Sequence, residues 1–369
     1  MQFIALRSNV KDAISTIERA SGENLNLPIL RNVLISITDA ISFTATNLDI
    51  SITSRLSGKV IEKGNITVPI ALLSNLINNI QGDRLNFEKK DESLTIKTDN
   101  YQATIQGIPA EEFPVTPQVG GGGETLEIKG ALLKDALQET IVAAQFSDLR
   151  PELNTILFDF ALDTIKLVAT DGFRLAEKTI PQNLFSSSHK EPFKILIPLK
   201  TGQEAARIIK KDEMVKISHG ESQVVFRTDG AELISRLVEG SFPDYLPLIP
   251  KEFSLEAVVN REEFLNAIKL ASIFGQRTNE VKIAAAANKK VIEVSSSDQS
   301  LGENSYLIPA KIKGDAAETF FNWRYLADPV RAMEGEELFI GLQEEGNPAL
   351  LRPSGDASYL YILKPILKS

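Results

Sequence analysis

The chain has no cysteine. Disulfides, thiolate metal sites and cysteine nucleophiles are therefore excluded together, and a cytosolic protein is the simplest reading. Histidine is almost as scarce. His189 lies in the polar stretch SSSHKEP, and His219 lies in KISHGES, which reads as a hairpin turn. Two such residues leave no plausible Ser-His-Asp triad and no histidine-rich metal cage, and both read as solvated loop histidines. No run of about 18 apolar residues occurs, so no membrane-spanning helix is expected. The opening MQFIALRSNVKDAI carries Arg7, Lys11 and Asp12 among its apolar residues, which is not the pattern of a secretory leader. The net charge of −9 argues against a surface coated all over by nucleic acid.

What is present is ordinary in amount and unusual in arrangement. The 369 residues, 43% apolar and 24% charged, suit a soluble protein of two or three domains. Three segments begin alike: FIALRSNVKDAISTIERAS from Phe3, LEIKGALLKDALQETIVAAQ from Leu126 and LEAVVNREEFLNAIKLAS from Leu255. Each is an alternating strand followed by an amphipathic helix. Val10, Ile14 and Ile17 make the apolar stripe of the first helix, Leu132, Leu133, Ala136, Leu137 and Ile141 that of the second, and Phe264, Leu265, Ile268 and Ala271 that of the third.

Other landmarks keep the same frame. VPIALLSNLINNI around Pro69 matches IPLKTGQEAARII around Pro198, and more weakly FNWRYLADPVRAM around Asn322; proline is favoured in a first helical turn. Phe113-Pro114 and Phe242-Pro243 lie 129 residues apart, as do Pro69 and Pro198. FTATNLDISI and LVATDGFRLAE repeat one hairpin phrase, and IEVSSSDQSLGE is a more diverged third copy. Six helices are expected at 8–20, 70–81, 130–146, 199–211, 260–272 and 322–334, with Pro329 expected to break, bend or shorten the last. Between the helices run short period-two segments broken by turn residues, which read as antiparallel meanders. The fold class is therefore α+β, with three repeated domains of two helices packed on antiparallel sheets, at 1–121, 122–250 and 251–369. PQVGGGGETL, near 118–125, reads as a linker; no Lys-Ser/Thr follows its glycines, as a phosphate loop would require.

With its three repeats and the phrases NLPIL, ATNLD, AAQFS, VATDGFRLAE, SFPDYLPLIP and the terminal YILKPILK, the whole chain resembles the bacterial DNA polymerase III beta subunit family, the sliding clamps. The resemblance implies a non-catalytic processivity subunit with no metal and no cofactor. It implies a head-to-tail homodimer closing into a ring, helices lining a hole for duplex DNA, and a cytoplasmic, nucleoid-associated place of work. Its partners would be the polymerase III alpha subunit, the clamp loader, and other polymerases and repair proteins carrying short clamp-binding peptides; no membrane is involved.

Carried over residue by residue, the resemblance places a partner-peptide pocket at Leu153, Thr170, Gly172, Phe173, Arg174, Leu175, Pro243, Pro247, Leu248, Ile362, Leu363, Pro365 and Ile366. Arg174 would orient the peptide between apolar walls. Read without the family, Leu153, Leu175 and Leu248 are better taken as core. Lys364 stands where members of the family often carry methionine. Arg150, Lys200, Arg207 and Lys210 would meet DNA, while Asn24 occupies a loop position that is basic in some members. The 199–211 cluster reads equally as a solvated helix end favoured by the helix dipole. Leu76 and Ile105 of one chain would pack on Ile273 and Phe274 of the other. Charge agrees in direction: the six helical segments carry eleven Lys/Arg against nine Asp/Glu, the remainder 29 against 40. Two other classes compete. One is a hydrolase built on carboxylates such as Asp49 and Asp171. The other is a repeat-built scaffold that does not encircle DNA.

Overall fold

The structure, a computed structural model, describes residues 1–22, 26–114, 124–147, 150–275, 277–285, 290–343 and 346–367. Asn24 and the glycines at 120–123 lie outside the described residues. The element order restates one plan three times. The first copy runs β1 (Gln2–Leu6), α1 (Arg7–Ile17), β2 (Asn32–Ile37), β3 (Ile41–Thr46), β4 (Ile50–Leu56), β5 (Gly58–Glu62), β6 (Gly64–Pro69), α2 (Ile70–Asn79), β7 (Arg84–Lys90), β8 (Ser93–Lys97) and β9 (Gln102–Gln106). The second runs β10 (Leu126–Lys129), α3 (Gly130–Ile141), β11 (Thr155–Ala161), β12 (Thr164–Thr170), β13 (Arg174–Pro181), β14 (Phe185–Ser187), β15 (Phe193–Pro198), α4 (Leu199–Ile208), β16 (Met214–His219), β17 (Gln223–Arg227) and β18 (Ala231–Arg236). The third runs β19 (Leu255–Asn260), α5 (Arg261–Phe274), β20 (Glu280–Ala285), β21 (Val291–Asp298), β22 (Gly302–Gly314), β23 (Ala317–Asn322), α6 (Trp323–Ala332), β24 (Glu337–Leu342), β25 (Ala349–Pro353) and β26 (Tyr359–Leu363). In this copy the single long strand β22 does the work of β4 and β5.

The chain divides into two compact units, and the division runs through the second copy. The first unit holds Met1–Leu132, Phe185–His189 and Glu204–Leu237. It contains a five-stranded sheet, β5-β1-β7-β8-β9, and a nine-stranded sheet, β14-β10-β16-β17-β18-β4-β3-β2-β6. The nine-stranded sheet is made of two copies, joined where β18 runs antiparallel to β4 from Ala231↔Ser54 to Ser235↔Ile50. α1 packs beside α2 and on β3 and β4, burying Val10, Ala13, Ile14 and Ile17, the stripe expected from the spacing. Phe113 fills an apolar cluster with Ile29 and Leu30, which gives the first Phe-Pro landmark its purpose.

The second unit holds Leu133–Leu184, Lys190–Gln203 and Val238–Ser369. Its twelve-stranded sheet runs β15-β11-β12-β13-β26-β25-β24-β19-β22-β21-β20-β23. Here too two copies are fused, β13 against β26 from Arg174↔Leu363 to Lys178↔Tyr359. The second Phe-Pro landmark is used as the first is: Phe242 packs on a cluster of Leu157, Val168, Leu175, Leu196, Tyr245 and Ile362. Every strand pairing in both units is antiparallel, as meanders require.

The repeated hairpin phrase is one hydrogen-bonding scheme. The Asn47 side-chain oxygen accepts from the N–H groups of Asp49 (3.0 Å) and Ile50 (2.9 Å), and Thr46 Oγ1 donates to the Ile50 carbonyl (2.9 Å). In the second copy Asp171 accepts from Phe173 (2.9 Å) and Arg174 (3.0 Å), and Thr170 donates to the Arg174 carbonyl (2.6 Å). In the third, Asp298 accepts from Ser300 and Leu301. Short polar side chains that bond to backbone two and three residues on stabilise such turns. The residue after the acceptor is left-handed in both closer copies: Gly172 at φ +88, and Leu48, at a steric cost, at φ 79.

Two expectations about proline change. Pro69 and Pro198 are the last residues of β6 and β15, directly before α2 and α4 rather than in their first turns. Pro329 sits inside α6 without breaking it. A proline has no N–H for the carbonyl four residues back, here that of Tyr325. That carbonyl instead accepts a 2.9 Å bond from the Tyr361 hydroxyl. Asn322 caps the helix start by accepting from the Arg324 N–H at 3.0 Å.

Candidate partner groove and nucleic-acid surface

All thirteen expected pocket residues fall in the second unit. They reach it from four directions: the turn before β11, the β12–β13 hairpin, the segment after β18, and β26 with the tail after it. β13 and β26 lie side by side, with Leu175 opposite Ile362 and Arg174 opposite Leu363. Leu153, Leu175, Ile362 and Leu363 are buried and take the core role that their residue type suggests. Phe173 and Leu248, by contrast, are 63% and 52% exposed, and Leu246 and Leu367 are also exposed. The unit thus presents solvent-exposed large apolar side chains from the hairpin, from the 238–250 segment and from the tail. The tail is tied at two points: the Lys364 N–H donates to the Phe173 carbonyl (2.9 Å) and the Ile366 N–H to the Phe320 carbonyl (2.7 Å). The Lys364 side chain is exposed.

The segment SFPDYLPLIP is anchored from beneath. Tyr245 is buried, and its hydroxyl donates to Glu177 Oε2 at 2.5 Å. Glu177 also takes Lys166 Nζ at 3.0 Å. Burial, and next the bond to Glu177, push the Tyr245 phenol well above its usual range.

Arg174 departs from the expected role. Its Nε donates to Asp171 Oδ2 at 2.9 Å and its Nη1 to Asp328 Oδ2 at 3.1 Å, while its guanidinium lies 4.1 Å from the centroid of the Tyr325 ring. Only 8% of the residue is exposed. It braces the hairpin from behind. Asp328 and Tyr325 were not singled out from sequence, because nothing local in YLADPV marks a partner 154 residues away. Asp171 is equally engaged, by two backbone N–H groups and by Arg174, so its carboxylate is structural. Its positional counterpart in the first copy is Asn47, not Asp49.

The four cations expected to meet DNA separate into two kinds. In the second unit Lys200 is exposed, and Arg150 is exposed with Nε 3.1 Å from Glu152 Oε1. In the first unit Lys210 is exposed, but Arg207 is committed to the fold. Its Nη1 and Nη2 donate to the Ser15 and Thr16 carbonyls at 2.7 Å each, and its Nε to Glu204 Oε2 at 2.7 Å. A guanidinium forked onto the last turn of α1 complements both the unpaired carbonyls and the helix dipole there. Arg207 is therefore corrected from DNA ligand to helix clasp.

Of the expected dimer residues, Leu76 is half-buried on α2 in the first unit, while Ile273 (53% exposed) and half-buried Phe274 end α5 in the second. Ile105 is corrected: at 1% exposure its side chain belongs to the core of the first unit. The histidines are corrected as well. Their rings stack at 5.4 Å and 5°, and His189 Nδ1 lies 3.2 Å from Glu124 Oε2. Burial first, and then the neighbouring His219, lower the His189 pKa.

Among the described residues no helix is long and apolar enough to cross a membrane. Family models cover nearly the whole chain in order: the DNA polymerase III beta subunit N-terminal domain at 1–117, the central domain at 127–244 and the C-terminal domain at 247–366. The chain is 27% identical to the beta sliding clamp of Synechococcus elongatus over 374 aligned positions, and 27% identical to that of Bacillus subtilis over 380; each alignment spans 99% of both chains. The crystal structure of the DNA polymerase sliding clamp from Bacillus subtilis superposes with a TM-score of 0.93 at 26% identity, each chain covered in full. On these matches, and on the threefold plan that accompanies them, the chain belongs to the DNA polymerase III beta subunit family.

Proposed function

We propose that the chain is a sliding clamp: a head-to-tail homodimer that closes around duplex DNA and tethers the replicative polymerase and other DNA-processing proteins. It has no catalytic site of its own. The three domains would divide near 121/122 and 250/251, and the protein would work in the cytoplasm on replicating DNA. Partners such as the polymerase III alpha subunit and the clamp loader would dock short peptides in the groove of the second unit. Binding would be sequence-independent, because exposed lysines and arginines can meet phosphates without reading bases.

The observation that carries the ring is the use of sheet edges. Within each unit, the meander end of one copy pairs with the hairpin strand of another: β18 on β4, and β26 on β13. The same two edges occur once more, as β9 and the Gly302 half of β22. Among the described residues each of these is laddered on one side only, by β8 and by β21. Unpaired edges invite another strand, and a heterologous contact that closes makes a ring. In the register of the two internal junctions, Tyr101 to Ile105 of one chain would face Ser305 to Leu301 of the other. Tyr101 and Leu301 are exposed apolar residues at those edges, and Phe274 lies against Gly302, 3.7 Å from where a Cβ would be.

Retention on DNA tests the reading. A closed ring stays on circular duplex DNA and is lost when the circle is linearised, whereas a scaffold that does not encircle DNA treats both alike. The groove is tested separately: deleting the tail from Lys364 onward should abolish binding of a short peptide with apolar residues beside a glutamine, and leave the dimer intact.

A further inference from the structure

We infer that Asp328, on α6, is a positioning residue for partner recognition: it fixes the groove's hairpin through Arg174 without itself meeting the partner. The inference rests on the groove reading above. The chain of contacts is short and entirely within the second unit. Asp328 Oδ2 holds Arg174 Nη1 at 3.1 Å, and Tyr325, one helical turn earlier, lies under the guanidinium at 4.1 Å. Arg174 Nε holds Asp171 Oδ2 at 2.9 Å, and Asp171 Oδ1 binds the N–H groups of Phe173 and Arg174. The Phe173 carbonyl in turn receives the N–H of Lys364 in the tail. The exposed Phe173 is therefore referred to α6 through a single buried cation, while the tail is joined both to this hairpin at Phe173 and, independently, to Phe320.

The helix is itself held in place where this happens. Pro329 follows Asp328, and the Tyr325 carbonyl that Pro329 leaves without an N–H partner is taken by Tyr361 of β26. Tyr361 lies opposite Ala176, two residues beyond Arg174. Because β26 and α6 are locked together at this point, a shift of α6 is not absorbed in the helix. Asp328 has a second neighbour, Arg331 Nη1 at 3.3 Å from Oδ1 on the partly exposed side of the helix, so its carboxylate joins the groove turn to the surface of α6.

Asn in place of Asp328 is nearly the same size and leaves the Arg174 charge paired by Asp171, so the fold survives while the ion pair from the hairpin to α6 is weakened to a neutral hydrogen bond beside the Tyr325 ring. A fluorescently labelled peptide with two apolar residues beside a glutamine is titrated into the full-length protein and its variants. Asp328→Asn should bind about 3- to 10-fold more weakly, in the range of couplings between residues in one network. Asp328→Glu should recover part of the loss. In an Arg174→Ala background Asp328→Asn should have no further effect. Hydrogen exchange at the Phe173 and Arg174 amides should quicken in Asp328→Asn with an unchanged urea midpoint. Wild-type affinity in Asp328→Asn, an equal loss in both backgrounds, or unchanged exchange would each overturn the proposal while leaving the groove in place. Equal binding by the wild type and the tail deletion would instead overturn the groove reading and this proposal with it.

Discussion

Replacing Arg207 by alanine should destabilise the first unit and leave the DNA-facing electrostatics nearly untouched, the opposite of what its place in a basic cluster suggests. Three bonds of 2.7 Å are lost, two to the Ser15 and Thr16 carbonyls and one to Glu204. A hydrogen bond to a charged group contributes about 1.5–3 kcal/mol. The two carbonyls end a helix at the surface and regain water, which returns much of that. Glu204 is buried, and the cation it keeps among the described residues is Arg19, whose Nη1 is 4.0 Å away. The net loss should be about 2–3 kcal/mol. Arg207→Lys should recover less than half, because an ammonium cannot fork onto two adjacent carbonyls. The checks are a urea melt, hydrogen exchange over residues 10–20, and the salt dependence of DNA loading. A variant with unchanged stability and a log–log salt slope reduced by roughly 0.9 would mean that Arg207 is a phosphate ligand and the clasp is wrong.

Other outcomes follow from the same placements. Lys200→Glu with Lys210→Glu should flatten the salt slope of loading without changing the urea midpoint, since both side chains are exposed; an unchanged slope would put them away from DNA. Ile273→Ala with Phe274→Ala should give monomers by sedimentation at low micromolar concentration, because truncating interface anchors commonly costs more than about 2 kcal/mol; a full dimer would refute the edge pairing at α5. The stacked histidines give a pH signature. His189 has a depressed pKa when folded, so the unfolded chain binds the proton more readily. Its contribution to stability is complete above the ordinary histidine pKa of about 6.5 and falls as pH drops through and below it. Urea midpoints at pH 7.5 and 5.5 should differ more in the wild type than in His189→Gln, and equal differences would remove the stack as the cause.

The hairpin phrase shows why so much of the architecture was legible. Thr-Asn-Leu and Thr-Asp-Gly make their turns with bonds that span two to four residues, so the turn is specified where it is written. The helices are equally local: Val10, Ile14 and Ile17 lie on one face because of 3.6-residue periodicity, whatever packs against them. Copying such local instructions three times makes the copies visible as repeats, and the repeat of edges then points to the ring.

What tertiary structure alone decided are the partnerships that cross the chain. Lys200 and Arg207 look alike in LKTGQEAARIIKK, yet one is exposed and the other clasps carbonyls 191 and 192 residues away. Ile105 is apolar on an edge strand, and only packing determines that its side chain faces inward. Two scattered histidines become a stack, and a helix tolerates Pro329 because a tyrosine from β26 takes the orphaned carbonyl. Arg174 sits in a motif that signals a site, but its second carboxylate comes from a helix 154 residues on. Periodicity and turn chemistry act over a few residues, whereas charge pairing and burial are settled by whichever groups the folded sheets bring together, and no local pattern records which those will be.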